Sequence, residues 1–161
     1  MQRAKTSAGL LAFRRSSGQL EVLLVHPGGP FFRNKDAGAW SIPKGEVSAD
    51  EDLKARAATE FEEELGISAP PAPWIDLGAA KQKGGKTVHG WAVEMELPKD
   101  FACVSNTFEL EWPPRSGRTQ EFPEVDQAEF FLIEAAALKI NPAQVVFLER
   151  LVEALGKGVS T

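Results

Sequence analysis

The stretch from Ser48 to Gly66, SADEDLKARAATEFEEELG, constrains the fold more than any other part of the sequence. Leu53, Ala57, Phe61 and Leu65 recur at helical spacing while charges fill the other faces, which predicts an amphipathic helix over 48–65 with one stripe to bury. Ser48 with Glu51 three residues on forms a capping-box pattern, and Gly66 before Ile67 reads as a left-handed stop with an apolar clasp. The helix therefore ends on Glu60, Glu62, Glu63 and Glu64 with no cation among them. This is the unfavourable end of the helix dipole for negative charge, and Glu60, Glu63 and Glu64 also repel one another at i, i+3 and i+4. Either water screens them on an exposed face or a cation sits among them. Hard divalent cations such as Mg²⁺ take oxygen ligands, yet solvated charge runs on helices are common, so spacing alone leaves both readings open.

Around this helix the pattern turns to strands. SAGLLAFR (7–14) and LEVLLVHP (20–27) are apolar runs joined by RSSGQ, which predicts a strand pair. Residues 27–39 are rich in turn formers and predict a mobile loop, followed by a brief strand at WSIP. WIDLGAAKQ and KTVHGWAVEMEL predict a hairpin closed by KGGK. The stretch from Pro98 to Pro123 shows no sustained period and is expected to be a long loop, functional or disordered. Asn141 and Pro142 open a last helix with a core stripe of Val145, Leu148, Val152 and Leu155. The sum is an α/β (α+β) sandwich with a mixed sheet between helices, in one domain over 1–161.

Bulk properties bound the function. A chain of 161 residues, 43% hydrophobic and 25% charged, suits one domain with a sizeable core. With a net charge of -5 there is no overall basic field for nucleic acid or an anionic membrane, and an anionic substrate must meet local cations. Lys44, Lys81, Lys83, Lys86 and Arg33 are the candidates for phosphates. The apolar runs are too short to span a bilayer. Cys103 is the single cysteine, excluding an internal disulfide and a Cys-based zinc site, and fits a soluble protein of the reducing cytoplasm. His26 and His89 are too isolated to mark a site, and Trp40, Trp74 and Trp91 read as core. Trp112, flanked by prolines in the long loop, is the tryptophan placed to stack a base.

From Gly45 the sequence GEVSADEDLKARAATEFEEELGI resembles the Nudix box of the Nudix hydrolase family. Gly45, Glu51, Glu60, apolar Phe61, Glu63, Glu64, Gly66 and apolar Ile67 agree with the pattern at unbroken spacing, and WSIPKG resembles the lead into the box. The one departure is Thr59, where the family has an arginine that orients the box glutamates. Arg56, four residues before Glu60, stands where it can supply that charge from the preceding turn.

The resemblance implies hydrolysis of a nucleoside diphosphate linked to another moiety, with Mg²⁺ or Mn²⁺ as cofactor, a dinucleoside polyphosphate or nucleoside triphosphate being the preferred substrate. Such ions neutralise charge on phosphoryl oxygens and activate water. It implies Glu60, Glu63 and Glu64 as catalytic metal ligands together with the Lys44 carbonyl, and Gly45, Glu51, Arg56 and Gly66 as their support. Lys44, Arg33, Lys81 and Trp112 are the expected substrate contacts. A further glutamate from outside the box serves many members as base or ligand; of Glu109, Glu111, Glu121 and Glu124, the candidates are Glu111 and Glu124. The competing class is a Nudix-fold module that binds a nucleotide or protein without turnover, for which Thr59 is the main support. A homodimer is compatible with either.

Overall fold

The computed structural model describes residues 5–71 and 73–158. Strand β1 (Thr6–Ser16) is the axis of the molecule. One of its edges is shared, with β2 (Gln19–Pro27) paired antiparallel to its C-terminal half and the short β3 (Lys44–Glu46) to its N-terminal half. On the other edge β1 runs parallel to β5 (Thr87–Glu94), which pairs antiparallel with β4 (Ile75–Lys81). With β8 (Val125–Leu132) beside β2, the mixed sheet runs β4-β5-β1-β2-β8, with β3 joining at β1.

The two-residue period of β1 decides where its layers lie. Ala8, Leu10 and Ala12 are buried with Ala57, Phe61 and Leu65 of helix α1 (Leu53–Leu65) on one face. Leu11 and Phe13 are buried with Phe147, Leu148 and Leu151 of helix α3 (Val145–Gly158) on the other. The result is the α/β/α sandwich that the sequence predicts, with a short helix α2 (Ile133–Lys139) completing the second face. Among the described residues no helix is long and apolar enough to cross a membrane.

Four expectations need correction. Helix α1 starts at Leu53 rather than Ser48. The Ser48 N–H does donate to the Glu51 carboxylate at 2.9 Å, but Asp52 is the N-cap, accepting from the Ala55 N–H at 2.9 Å. WSIP is not a strand: Trp40 and Ser41 make single bridges to Ile140 and Val25, and the strand proper begins at Lys44. Within 98–123 a second, two-stranded sheet forms from β6 (Thr107–Glu111) and β7 (Thr119–Pro123). Strand β6 alternates exposed and half-buried residues and β7 is exposed except at Phe122, so only Phe108, Leu110 and Phe122 carry an apolar signal. In the last helix, Asn141 caps a 3₁₀ turn over Pro142–Gln144 before α3 begins. Of the expected stripe, Leu148 is buried and Val145 and Leu155 pack against the core, while Val152 is 49% exposed and Gln144, Phe147 and Leu151 complete the buried face. Gln144, fully buried, accepts from the Ile42 N–H at 3.0 Å and donates to Ser41 Oγ at 3.1 Å, fixing the segment that leads into β3.

Candidate active site

Glu64 occupies the same helical stripe as Ala57, Phe61 and Leu65, so the packing of α1 carries its carboxylate inward to 7% exposure. A buried carboxylate loses hydration that only a hydrogen bond or an opposite charge replaces. Here the Lys44 backbone N–H donates to Oε2 at 3.2 Å, and the Lys44 ammonium adds attraction. These do not compensate: burial, followed by repulsion from Glu60, pushes the Glu64 carboxyl up to about 8. Lys44 itself is lowered by burial, against the pull of Glu64, with Lys86 repelling it nearby.

Glu60 rests on the backbone of Gly45. A Cβ there would lie 2.1 Å from the Glu60 carboxyl carbon, so the position admits glycine alone while the carboxylate stays in place. Arg56 holds Glu60 from above, donating from Nη1 to Oε2 at 2.9 Å, and binds Glu51 through Nε at 2.8 Å and through Nη2. Glu51, with Arg56 as the first cause, is held below the usual carboxylate range, and Arg56 is raised by Glu51 and then Glu60. Thr59 is exposed and turns its hydroxyl back to the Ala55 carbonyl at 3.0 Å. The guanidinium beside the glutamates thus comes from position 56.

Gly66 ends α1 at φ 80°, and a Cβ on it would meet the Val104 carbonyl at 2.8 Å. The segment that approaches there serves the orphan carbonyls of the helix end: Asn106 N–H donates to the Glu63 carbonyl at 2.9 Å, and Val104 N–H to Leu65 at 3.4 Å. Asn106 in turn accepts from the Glu124 N–H at 2.8 Å, which brings Glu124 to the glutamates of α1. Burial and then repulsion from Glu60 and Glu63 raise the Glu124 carboxyl. Lys44, Glu64 and Glu124, with Val25, Pro27 and Ser41, line a cavity of about 240 Å³.

The other predicted residues are distributed unevenly. Glu111 does not reach this cluster, because its carboxylate accepts from the Arg115 and Gly117 N–H groups at 3.3 and 3.1 Å and closes the β6–β7 turn. Arg33 and Lys81 are exposed and are not among the residues lining the cavity. Trp112 is half-buried just past β6 and packs edge-on against Phe31, with ring centroids 5.6 Å apart. Phe31, 58% exposed, escaped the sequence reading, since turn residues surround it and no period marks it.

The donor set fits a hard cation. It consists of carboxylates, and the proton affinity of Glu64, raised by burial and then by Glu60, marks a place where positive charge is favoured. Among the described residues no three Asp, Glu, His or Cys side chains are gathered as a ready-made metal cage. The carboxylates share an electrostatic field and would have to converge on an ion.

Residues 4–151 match the family profile described as a NUDIX domain. Nudix hydrolase 7 of Arabidopsis thaliana is 30% identical over 128 residues, which are 79% of this chain and 39% of that protein, so the chain spans well under half the length of this curated relative. The fold is similar to a C. elegans Ap4A hydrolase in a binary complex, at 22% identity over 96% of this chain and 99% of that one, with a TM-score of 0.67. It is also similar to the NUDIX domain of Shewanella oneidensis NrtR complexed with ADP ribose, at 16% identity over 96% and 90%, with a TM-score of 0.64. At these identities the likeness to solved structures is one of fold.

Because the Glu64 carboxyl titrates higher folded, at about 8, than its ordinary 4.5, its contribution to stability is complete below about pH 4.5 and is lost as pH rises through 8. Glu124 shifts the same way, whereas depressed Glu51 loses its contribution only on acidification. In chelator, urea unfolding should show the protein less stable at about pH 8.5 than at about pH 5.5 by a few kcal/mol, at about 1.4 kcal/mol per tenfold in proton affinity. Saturating Mg²⁺ should narrow the gap. Equal stability at both pH values in chelator contradicts this account of Glu64.

Proposed function

Since the chain belongs to the NUDIX family, we propose that it is a metal-dependent pyrophosphohydrolase cleaving a phosphoanhydride bond in a nucleoside diphosphate-linked substrate, with dinucleoside polyphosphates first and nucleoside triphosphates next. The observation that carries this reading is Glu64, a buried carboxylate raised to about 8 beside Glu60 and Glu124. A surface helix serving only solubility has no reason to hold a glutamate there.

Glu60, Glu63, Glu64 and the Lys44 carbonyl would hold Mg²⁺ or Mn²⁺. When bound, such an ion supplies neutralisation of phosphoryl charge and a more acidic water. Glu124, at the mouth of the cavity with its proton affinity raised, accepts the proton of the attacking water. Lys44, with Lys86 near it, meets the diphosphate charge, and Arg33 and Lys81 extend that field from exposed positions. Trp112 and Phe31 offer two aromatic faces to a base. Ap4A and ADP ribose, named for two proteins of similar fold, are both nucleoside diphosphate-linked compounds and support the substrate class. A nucleotide substrate and the thiol of Cys103 fit a cytoplasmic setting.

The second reading, a binding module without turnover, draws on Thr59, which leaves the glutamates without the family arginine. The Arg56–Glu60 bond supports the catalytic reading, since it puts a guanidinium on the glutamates from the preceding turn.

A screen of dinucleoside polyphosphates, nucleoside triphosphates, nucleotide sugars and nucleoside diphosphate-linked cofactors with Mg²⁺ and Mn²⁺ should find turnover that Glu64→Gln lowers by orders of magnitude. No turnover, or full activity in Glu64→Gln, overturns the reading. Arg56→Ala should slow the best substrate well beyond what an exposed i, i+4 ion pair of about 0.3–0.5 kcal/mol explains. Thr59→Arg should partly restore that variant, because it returns a guanidinium beside Glu60. A silent Arg56→Ala would show that Arg56 does not orient the glutamates.

A further inference from the structure

We propose that His26 is a positioning residue whose imidazole, protonated on both nitrogens, latches the loop 28–39 between β2 and the catalytic segment, and that loss of one proton loosens the loop and its aromatic contact with Trp112. His26 lies at the end of β2, 6% exposed. Its Nδ1 is 2.8 Å from Asp126 Oδ1 and its Nε2 is 2.7 Å from the carbonyl oxygen of Lys35. A carbonyl oxygen can only accept, and so can an ionised carboxylate, so both ring nitrogens must donate. Either neutral tautomer sets a nitrogen lone pair against an oxygen lone pair at under about 3 Å, a buried polar contact that repels.

Charged groups face the ring from several elements. Asp126 faces the ring from β8, with Cys103 beyond it feeling the same carboxylate. Asp36 faces it from the loop and is lowered first by Lys139 of α2, then by Trp40, and also by His26. Trp40 Nε1 donates to Asp36 at 2.8 Å while its ring stands edge-on to His26 at 5.2 Å. Of the cations nearby, Lys139 is committed to Asp36, and the Lys35 ammonium lies 5.4 Å over the Phe32 ring.

What the latch holds is the stretch of loop from Gly28 to Lys35, which leaves β2 beside the cavity-lining Pro27. At one end the Gly28 N–H donates to the Glu124 carbonyl at 3.0 Å, and at the other His26 holds Lys35. Between them Gly29 packs on Phe108 so closely that a Cβ would come within 2.9 Å of that ring, and Phe31 meets Trp112. Releasing Lys35 removes the anchor nearest Phe31 on its far side and leaves the loop held there by Asp36, through Trp40 and Lys139. The consequence for substrate rests on the nucleotide reading above; the latch itself does not.

The test follows the His26 ring by ¹⁵N NMR while amide protection factors are measured over residues 28–39 across pH. Protection should be full while both ring nitrogens are protonated and should fall roughly tenfold as one proton leaves, the equilibrium equivalent of a charge-assisted hydrogen bond. His26→Gln should remove that pH dependence. Asp126→Asn, which keeps an oxygen acceptor but not its charge, should move the loosening to lower pH. If a nucleotide is turned over, its KM should rise over the same pH interval in the wild type and not in His26→Gln, with kcat following a separate profile. A neutral imidazole at the pH of full protection, or protection indifferent to its titration, overturns the latch even if turnover is found. A tracking loop with no turnover keeps the latch and overturns the nucleotide reading.

Discussion

The carboxylate of Glu64 is inside the protein because it shares a helical stripe with Ala57, Phe61 and Leu65, and that stripe is what α1 buries against β1. Burying a charge without a full partner is unfavourable enough that the group changes its titration instead. The nearest cation, Lys44, is itself half-buried and weakened as a counter-charge by the same desolvation. Arg56 is engaged with Glu60 and Glu51 and offers Glu64 no bond. The cluster therefore needs either a proton or an added cation, and that need is a property of the packing.

Several features elsewhere in the fold keep the cluster intact. Gly45 leaves room for the Glu60 carboxylate, and Gln144 secures Ile42 two residues ahead of Lys44. The carbonyls at the end of α1 are served by the chain around 104–106, and that chain in turn fixes Glu124. Helix C-terminus, cavity and β6–β7 hairpin are thus tied by a few backbone bonds. A shift in any of them changes the spacing of charges that repel.

Elements with a strong local period were legible in the sequence. The apolar runs of β1 and β2, the stripe of α1 and its glycine stop all translate directly into buried faces. Harder to read were elements whose identity depends on partners distant in sequence. The half-buried side of the β6–β7 ribbon packs Phe108 against Phe122 and beside the loop at Gly29. The α3 stripe is legible at Val145, Leu148 and Leu155 but not at Val152, which is exposed while Phe147 and Leu151 fill the core. In the site, the glutamates of one helix could be grouped from spacing, since i, i+3 and i+4 positions are neighbours on any helix. Glu124 could not be separated from Glu111, because the choice is made by backbone bonds of Asn106 and of the hairpin turn. His26 looked isolated for the same reason: Asp126 is 100 residues away.

The central claim is that packing leaves Glu64 with an unmet demand for positive charge. Its most direct measurement is a ¹³C NMR titration of the Glu64 side-chain carboxyl, first in chelator and then with saturating Mg²⁺. The account predicts a midpoint at about 8 in chelator, and with Mg²⁺ a carboxylate that stays ionised well below that pH. A midpoint near the ordinary 4.5 in chelator, unmoved by Mg²⁺, would contradict it.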